Sequence, residues 1–346
     1  MARALVLGAT GHIGAHVARA LLAKGHQVRA AYRSDRFLHV LDGLPLERVR
    51  VNLDTLDGLR EALDGCAWVF HAAGYYPGFR ERREQAITRG ISSTRRVMEE
   101  IRRAEPSRVV FTSSASTIRR VSGRPSNERD VEPSPLAGWR PLYAAVKIAM
   151  EREALRAHEA GLPVVIVNPS VCLGEYDAHP FSGRLILAFA KHRLPVYLEH
   201  IINAIYTGDV GVGHVRAAER GRLGERYLLA CRDMTLKAFA ALVASAAGIP
   251  PPRWRVPYGL AITAAWITEL IAWATWTEPL LPRQAVQAGR VGQRFDASKA
   301  IAELALPQTP IEEAIRRALG WFEGHGYLRK RTSICAEVPG GATIYR

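Results

Sequence analysis

The chain has 346 residues, of which 48% are hydrophobic and 23% charged, as in an ordinary globular protein. This length is too great for one small core, so we expect one large α/β unit and a smaller lobe. The formal net charge of +14 comes almost wholly from arginine spread along the chain. We attribute it to solvated helix faces, with attraction to phospholipid headgroups or a phosphorylated small molecule as the alternative. No nucleic-acid-binding motif is present, so we expect no nucleic-acid partner.

The four cysteines are too dispersed to form a zinc site or a disulfide framework. Cys66, Cys172, Cys231 and Cys335 lie far apart and form no CxxC or CxxH pair. This usage fits a reducing compartment. The first predicted strand begins almost at Met1, which leaves no room for a signal peptide. We therefore expect a cytoplasmic protein with no metal site.

The first thirty residues predict a dinucleotide-binding unit. A short apolar strand at 4–7 ends in Gly-Ala-Thr-Gly-His-Ile-Gly, a helix follows, and a second strand spans 27–32. Gly8 permits the tight turn, Gly11 lets a pyrophosphate approach the backbone, and Gly14 lets the helix pack on the strand. The N-terminus of that helix attracts phosphate. The pattern predicts an α/β fold: a doubly wound parallel Rossmann sheet with a smaller, mostly helical C-terminal substrate lobe.

The end of the second strand selects the cofactor. A carboxylate there binds the ribose 2′-hydroxyl of NAD, whereas an arginine pairs with the 2′-phosphate of NADP. Arg33 holds this place and Arg36 follows, so we predict NADP. Asp35 lies between them, and NAD therefore stays open as the alternative.

The next strands predict the rest of the cofactor crevice. A strand over 49–53 ends at Leu53 and Asp54, followed by a helix over 56–63. Asp54 is a candidate acceptor for the adenine amine, with a helix N-cap as the alternative. A strand over 68–71 runs into Ala72-Ala73-Gly74, whose small side chains leave space for a cofactor.

A candidate proton donor follows the fifth strand. A helix over 81–104 precedes a strand over 108–111, which ends in Thr112-Ser113-Ser114. A loop at 122–141 is longer than most connections, which indicates a lid or a mobile segment. The next helix, which continues to 160, begins with Tyr143 and carries Lys147 one turn later on the same face.

Together these stretches resemble the extended branch of the short-chain dehydrogenase/reductase superfamily. The matching motifs are GATGHIG, HAAG, FTSS and YAAVK, with NPSVCLG after a strand at 163–167. Later segments (INAIYTGDVGVGH, GERYLLA and FDASKAIAEL) extend the resemblance to about Tyr327. Within the superfamily the chain is similar to hopanoid-associated sugar epimerases, dihydroflavonol-4-reductase-like proteins and 3β-hydroxysteroid dehydrogenases.

The resemblance implies a role for each catalytic residue. Tyr143 is the implied acid/base, and Lys147 lowers its pKa from the usual value of about 10. Ser114 donates to the substrate oxygen, with Ser113 as the substitute. The implied cofactor-binding set is Gly8, Thr10, Gly11, His12, Ile13, Gly14, Arg33, Arg36, Leu53, Asp54, Ala72, Ala73, Gly74, Thr112, Tyr143, Lys147, Pro169 and Val171.

One position departs from the family pattern. Where relatives carry Asn in an N-x-x-G-T run, this chain has Gly90, and Ser93 replaces the usual Gly. This change puts in doubt a proton relay or backbone brace at that position.

We predict two lobes and a tail. The Rossmann domain covers 1–178 with returning segments near 201–230, the substrate lobe covers 179–200 and 231–328, and 329–346 is a flexible tail. Helices at 181–191, 209–219 and 235–247 and a short strand at 203–207 fill the later part.

A tryptophan-rich segment at 257–279 distinguishes this lobe. It is as long as a membrane span, but Thr263, Thr268 and Glu269 interrupt it. We expect it to form core or a pocket wall. The alternative is an interfacial helix that gives peripheral membrane contact and access to a lipid-like substrate.

These observations leave three hypotheses for function. The first is an NADP-dependent reductase or dehydrogenase of a secondary alcohol or ketone on an apolar polycyclic, isoprenoid or sterol-type small molecule. The second is a nucleotide-sugar epimerase or dehydratase with tightly bound NAD. The third is a non-catalytic NADP-binding sensor. The resemblance also implies a homodimer.

Overall fold

The computed structural model describes residues 1–78, 80–131, 141–191, 196–277 and 294–328, with positions 279, 281, 283, 286 and 287. The strands are β1 (Arg3–Leu7), β2 (Gln27–Tyr32), β3 (Glu47–Arg50), β4 (Trp68–His71), β5 (Arg108–Thr112), β6 (Val164–Pro169), β7 (Val171–Leu173), β8 (Val196–Leu198), β9 (Ile201–Tyr206), β10 (Arg226–Leu229), β11 (Arg232–Thr235) and β12 (Trp254–Val256). The α-helices are α1 (His12–Ala23), α2 (Leu59–Leu63), α3 (Arg83–Arg103), α4 (Leu142–Glu159), α5 (Gly183–Ala190), α6 (Thr207–Arg220), α7 (Leu236–Ala247), α8 (Tyr258–Thr275), α9 (Ser298–Leu304) and α10 (Ile311–Gly324).

The main sheet has seven parallel strands in the order β3-β2-β1-β4-β5-β6-β10. Successive residues of β1 point to opposite faces, so Leu5 and Leu7 join one core and Ala4 and Val6 the other. Helices α3 and α4 cover the first face, and α1 and α6 cover the second. The predicted doubly wound Rossmann fold is confirmed, because both faces of a parallel sheet are covered by helices.

The smaller lobe has its own sheets and core. Strand β9 pairs with β7 in parallel and with β11 in antiparallel orientation, and β8 pairs with β12. Phe189, Phe239 and Phe322 bring α5, α7 and α10 together in a separate apolar cluster. Strands β7, β8, β11 and β12 were not predicted, since three or four residues are too few to show alternation.

The predicted ends of β3 and α2 differ from the observed ones, and the backbone turns sharply between these two elements. β2 and β4 have the predicted bounds, but β3 spans Glu47–Arg50, earlier than the predicted 49–53. Leu56 and Gly58 both have a φ of 72°, so α2 begins only at Leu59. In the predicted lid at 122–141, Val131 bridges Ile118 and Ser126 bridges Phe295. The part of the lid at 132–140 and the predicted tail at 329–346 lie outside the described residues.

The tryptophan-rich helix α8 corrects our interpretation of that segment. Its buried residues are Ala261, Ala265, Glu269 and Ala272. Its large apolar side chains point outward, with Trp273 67% exposed. The prediction of core or pocket wall was therefore wrong for this face. In the described part of the chain, none of the helices combines the length and apolar character that crossing a membrane requires.

Close packing of α6 against α1 gives a stability prediction. A Cβ added to Gly211 would lie 2.6 Å from the His16 carbonyl oxygen, whereas one added to Gly320 on α10 would meet open space. We expect Gly211→Ala to lower the free energy of unfolding by about 1–3 kcal/mol through overpacking. Gly320→Ala should raise it by up to about 1 kcal/mol through helix propensity. Denaturant unfolding of both variants checks this, and equal stabilities would contradict the packing.

Candidate active site

The candidate site lies where the strand order reverses. β1 and β4 are neighbours in the sheet, and the chain leaves their carboxyl ends toward opposite sides. Ligands of open α/β sheets bind in the crevice at such a point. Gly8 follows β1 there, and the run Ala72 to Gly74 follows β4.

The glycine turn has the shape that a dinucleotide requires. Gly8 has a φ of +82°, and a Cβ on it would lie 2.9 Å from Ala73 Cα. A Cβ on Gly14 would lie only 2.2 Å from the Gly8 carbonyl oxygen. Gly11 is the exposed N-cap of α1 and offers no side-chain cap, so the first N–H groups of the helix are available to an anion. These residues fit the pyrophosphate of a dinucleotide.

The side chain of His12 connects this turn to the rest of the fold. Its Nε2 lies 2.9 Å from Thr207 Oγ1 and its Nδ1 lies 3.8 Å from Asp177 Oδ2. Removal from water lowers the pKa of His12. Thr10 and Ile13, on either side of the pair Gly11-His12, are partly buried.

The adenosine end of the crevice carries the predicted arginine. Arg33 follows β2, and its Nη1 lies 4.0 Å from Asp54 Oδ2, with both side chains exposed. Exposed pairs are weak, so the Arg33 guanidinium remains available for a phosphate. Arg36 is also exposed, and Leu53 packs at the edge of the core. Asp54 is not the N-cap of α2, because Gly58 holds that position.

Ser114 and Tyr143 meet at the opposite end. Ser114 follows β5, Tyr143 lies in the first turn of α4, and the Ser114 side chain is close enough to the phenol to lower its pKa. Removal from water outweighs this effect and raises the pKa of Tyr143 to about 12. The same cause lowers the pKa of Lys147 to about 8, against the opposing charge of Glu151. We predicted a lowered pKa for Tyr143, and the structure has the opposite direction because desolvation dominates.

Sequence reasoning missed Tyr76, which forms an aromatic wall with Phe181. The Tyr76 and Tyr143 rings are stacked with centroids 5.5 Å apart. Phe181 lies 5.1 Å from the Tyr76 ring, and Lys147 Nζ lies 5.8 Å from the Tyr76 centroid. The sequence feature that could have indicated this role is the position of Tyr76, an aromatic residue shortly after the carboxyl end of β4.

The two adjacent serines have different surroundings. Ser113 Oγ donates to the buried carboxylate of Glu151, which also accepts from Asn168 Nδ2 at 2.7 Å and Arg226 Nε at 2.6 Å. Ser113 therefore belongs to an interior network, whereas Ser114 faces Tyr143. This arrangement favours Ser114 as the residue that contacts substrate.

The remaining predicted residues lie along the same edge of the sheet. Thr112 Oγ1 is 2.9 Å from His214 Nε2, so its hydroxyl is engaged with α6. Pro169 ends β6, and Val171 begins β7. A Cβ on Gly90 would lie 3.1 Å from Val146 Cγ1, so the close packing of α3 on α4 leaves little space for the asparagine of relatives.

A glycine turn at the switch point, a basic group beside the second strand and a Ser-Tyr-Lys set define a nicotinamide-dependent enzyme of the Rossmann class. Residues 4–230 match the NAD dependent epimerase/dehydratase family. The chain belongs to this family, the extended branch of the short-chain dehydrogenases/reductases.

Relatives of several activities align over nearly the whole chain. A putative dihydroflavonol 4-reductase from Synechocystis is 34% identical over 94% of this chain and 95% of its own. Sterol demethylase protein B from Methylococcus capsulatus is 31% identical over 94% of this chain and 99% of its own. The solved structure of a nucleoside-diphosphate-sugar epimerase from Pseudomonas aeruginosa is 28% identical in sequence and has a TM-score of 0.78. The match covers 94% of this chain and 99% of the epimerase.

The two serines provide a test of the site. We expect Ser114→Ala to lower the rate about 100-fold, because it removes a donor to the developing oxyanion. Ser113→Ala should leave the rate within about threefold and lower the free energy of unfolding by about 1 kcal/mol, since one buried hydrogen bond is lost. Steady-state rates and denaturant unfolding of both variants check this. A large loss of rate in Ser113→Ala with a nearly normal rate in Ser114→Ala would instead assign the substrate contact to Ser113.

Proposed function

We propose that this protein is an NADP-dependent reductase or dehydrogenase that interconverts a ketone and a secondary alcohol on an apolar polycyclic or isoprenoid-type substrate. The observation that carries the proposal is the juxtaposition of Ser114 and Tyr143 beside the aromatic wall of Tyr76 and Phe181. A raised Tyr143 pKa keeps the phenol protonated at neutral pH, and the reduction of a ketone needs a proton donor.

The chain's own groups divide the remaining work. When bound, the nicotinamide supplies or accepts the hydride. Ser114 donates a hydrogen bond to the substrate oxygen as negative charge develops on it. Tyr143 transfers its proton to that oxygen in reduction and recovers it in oxidation. Lys147, with a pKa of about 8, is cationic at neutral pH and is suited to hold the nicotinamide ribose hydroxyls.

The lining of the site supports an apolar substrate. Tyr76 is 50% exposed and Phe181 59% exposed, so both rings present apolar surface to a ligand beside Tyr143. Two of the relatives carry names of flavonoid and sterol chemistry, both of which involve fused or linked rings. Aromatic faces pack well against such ring systems.

A second candidate is a nucleotide-sugar epimerase or dehydratase with tightly bound NAD. The similarity to the Pseudomonas aeruginosa epimerase favours it. Arg33 favours the first proposal, because its guanidinium can bind the 2′-phosphate of NADP and NAD carries no 2′-phosphate. The identity of the cofactor that co-purifies, read by mass spectrometry, separates the two.

Removal of the Tyr143 hydroxyl tests whether the enzyme uses it as acid/base. We expect Tyr143→Phe to bind NADPH normally and to lose about 100-fold or more in turnover with a ketone. Tyr227→Phe is the matched control, because its hydroxyl contacts Arg222 and Glu303 far from the crevice. This control should retain the rate. Unchanged turnover in Tyr143→Phe would overturn the mechanism.

Cofactor choice is tested at Arg33. Arg33→Ala should raise the KM for NADPH about 10- to 100-fold and leave the KM for NADH nearly unchanged, since one charge-assisted contact to the 2′-phosphate is lost. Arg103→Ala, an exposed arginine on α3, is the control and should alter neither value. An equal change for both cofactors at Arg33 contradicts the assignment.

A further inference from the structure

One face of α8 presents a large apolar surface to solvent. We define the α8 face by its exposed side chains Leu260, Trp266, Ile267, Leu270, Ile271 and Trp273, with Trp276 just beyond the helix. Trp266 is 58% exposed and Leu270 is 67% exposed. Contiguous apolar patches of this kind on a folded protein mark interaction sites.

The helix is turned with its small side chains toward the protein. At 100° per residue, the six helical members of the α8 face occupy one arc of about 160°. Ala261, Ala265 and Ala272 lie on the opposite arc and are buried. Large side chains outside and alanines inside are the reverse of a helix that serves a protein core, so the α8 face is suited to a partner other than this chain's own interior.

Two described arginines border the α8 face. Arg80 donates to the carbonyl oxygens of Ala272 and Trp273, and its guanidinium lies 4.1 Å from the Trp276 ring centroid. Arg283 lies 3.6 Å from the Trp266 ring. Glu269, the carboxylate within α8, is buried and paired with Arg283.

Aromatic and aliphatic groups bordered by arginine match the interface of an anionic lipid bilayer. Tryptophan prefers the headgroup region, and arginine is attracted to acidic lipids. The chain's net charge of +14 adds long-range attraction to such a surface and repels a second copy of itself. We propose that the α8 face docks on the surface of an anionic membrane, lying in the interface without crossing it.

The docking surface adjoins the active site along the chain. Tyr76 stacks on Tyr143 at the candidate site, and Arg80 donates to the carbonyl oxygens at the end of α8. Because Tyr76 and Arg80 are four positions apart in the chain, their Cα atoms are at most about 14 Å apart. An apolar substrate held in the membrane would therefore meet the enzyme near its site. The docking itself does not depend on the proposed reaction, and its test has no catalytic readout.

Vesicle sedimentation tests the proposal with the full chain. We expect sedimentation with vesicles of equimolar phosphatidylcholine and phosphatidylglycerol, weaker sedimentation with phosphatidylcholine alone, and loss of binding at high salt. The double variant Leu270→Ser with Trp273→Ser should bind roughly a hundredfold more weakly, because two large apolar side chains no longer enter the interface. Tryptophan emission of the native chain should shift to shorter wavelength on the acidic vesicles.

The control removes equivalent apolar groups elsewhere. Leu223 and Ile301 are each 43% exposed and lie outside α8, so Leu223→Ser with Ile301→Ser should sediment like the native chain. Thermal unfolding confirms that both double variants are folded. Native protein that stays in solution with acidic vesicles overturns the proposal. A second result would also overturn it: a native chain that is dimeric by light scattering and does not bind vesicles, together with an α8 double variant that is monomeric. That result would assign the α8 face to contact with a second copy of the chain.

Discussion

The buried carboxylate of Glu151 holds the elements of the candidate site in their relative positions. It accepts hydrogen bonds from Ser113 after β5, from Asn168 in β6 and from Arg226 in β10. It lies one turn beyond Lys147 on the same face of α4, so one carboxylate connects three elements of the sheet to the helix that carries Tyr143 and Lys147. Removing one partner from a buried ion pair costs about 3–5 kcal/mol. The distance between the Ser114 hydroxyl and the phenol on α4 is therefore fixed by an interaction in which neither takes part.

The local features of this fold could be predicted from the sequence because they depend on near neighbours. The glycine turn needs no distant information: the spacing of Gly8 and Gly14 after an apolar strand already indicates a tight turn and a close helix. The resemblance to a known family supplied the pairing of Ser114 with Tyr143. The network of Glu151 could not be found in this way, since its partner Arg226 lies 75 residues away in the chain.

Two errors have a common physical origin in the environment of a residue. Hydrophobicity alone indicated a buried α8, but it does not tell which face of a mostly apolar helix meets the protein. Here the buried face carries three alanines and Glu269. The predicted lowering of the Tyr143 pKa considered the charge of Lys147 and omitted desolvation. Both groups lose water in the folded chain, which favours the neutral phenol and the neutral amine.

The pKa values of Tyr143 and Lys147 have opposite consequences for the two directions of the proposed reaction. A phenol with a pKa of about 12 is a proton donor across the physiological range, which suits reduction. Oxidation needs the phenolate, and a cation close to the oxygen is what would stabilise it. With a pKa of about 8, Lys147 carries that charge at neutral pH and loses it in alkaline solution. Raising the pH therefore removes the cation before it produces the phenolate, so desolvation keeps Tyr143 in the protonated form that the proposed reduction uses.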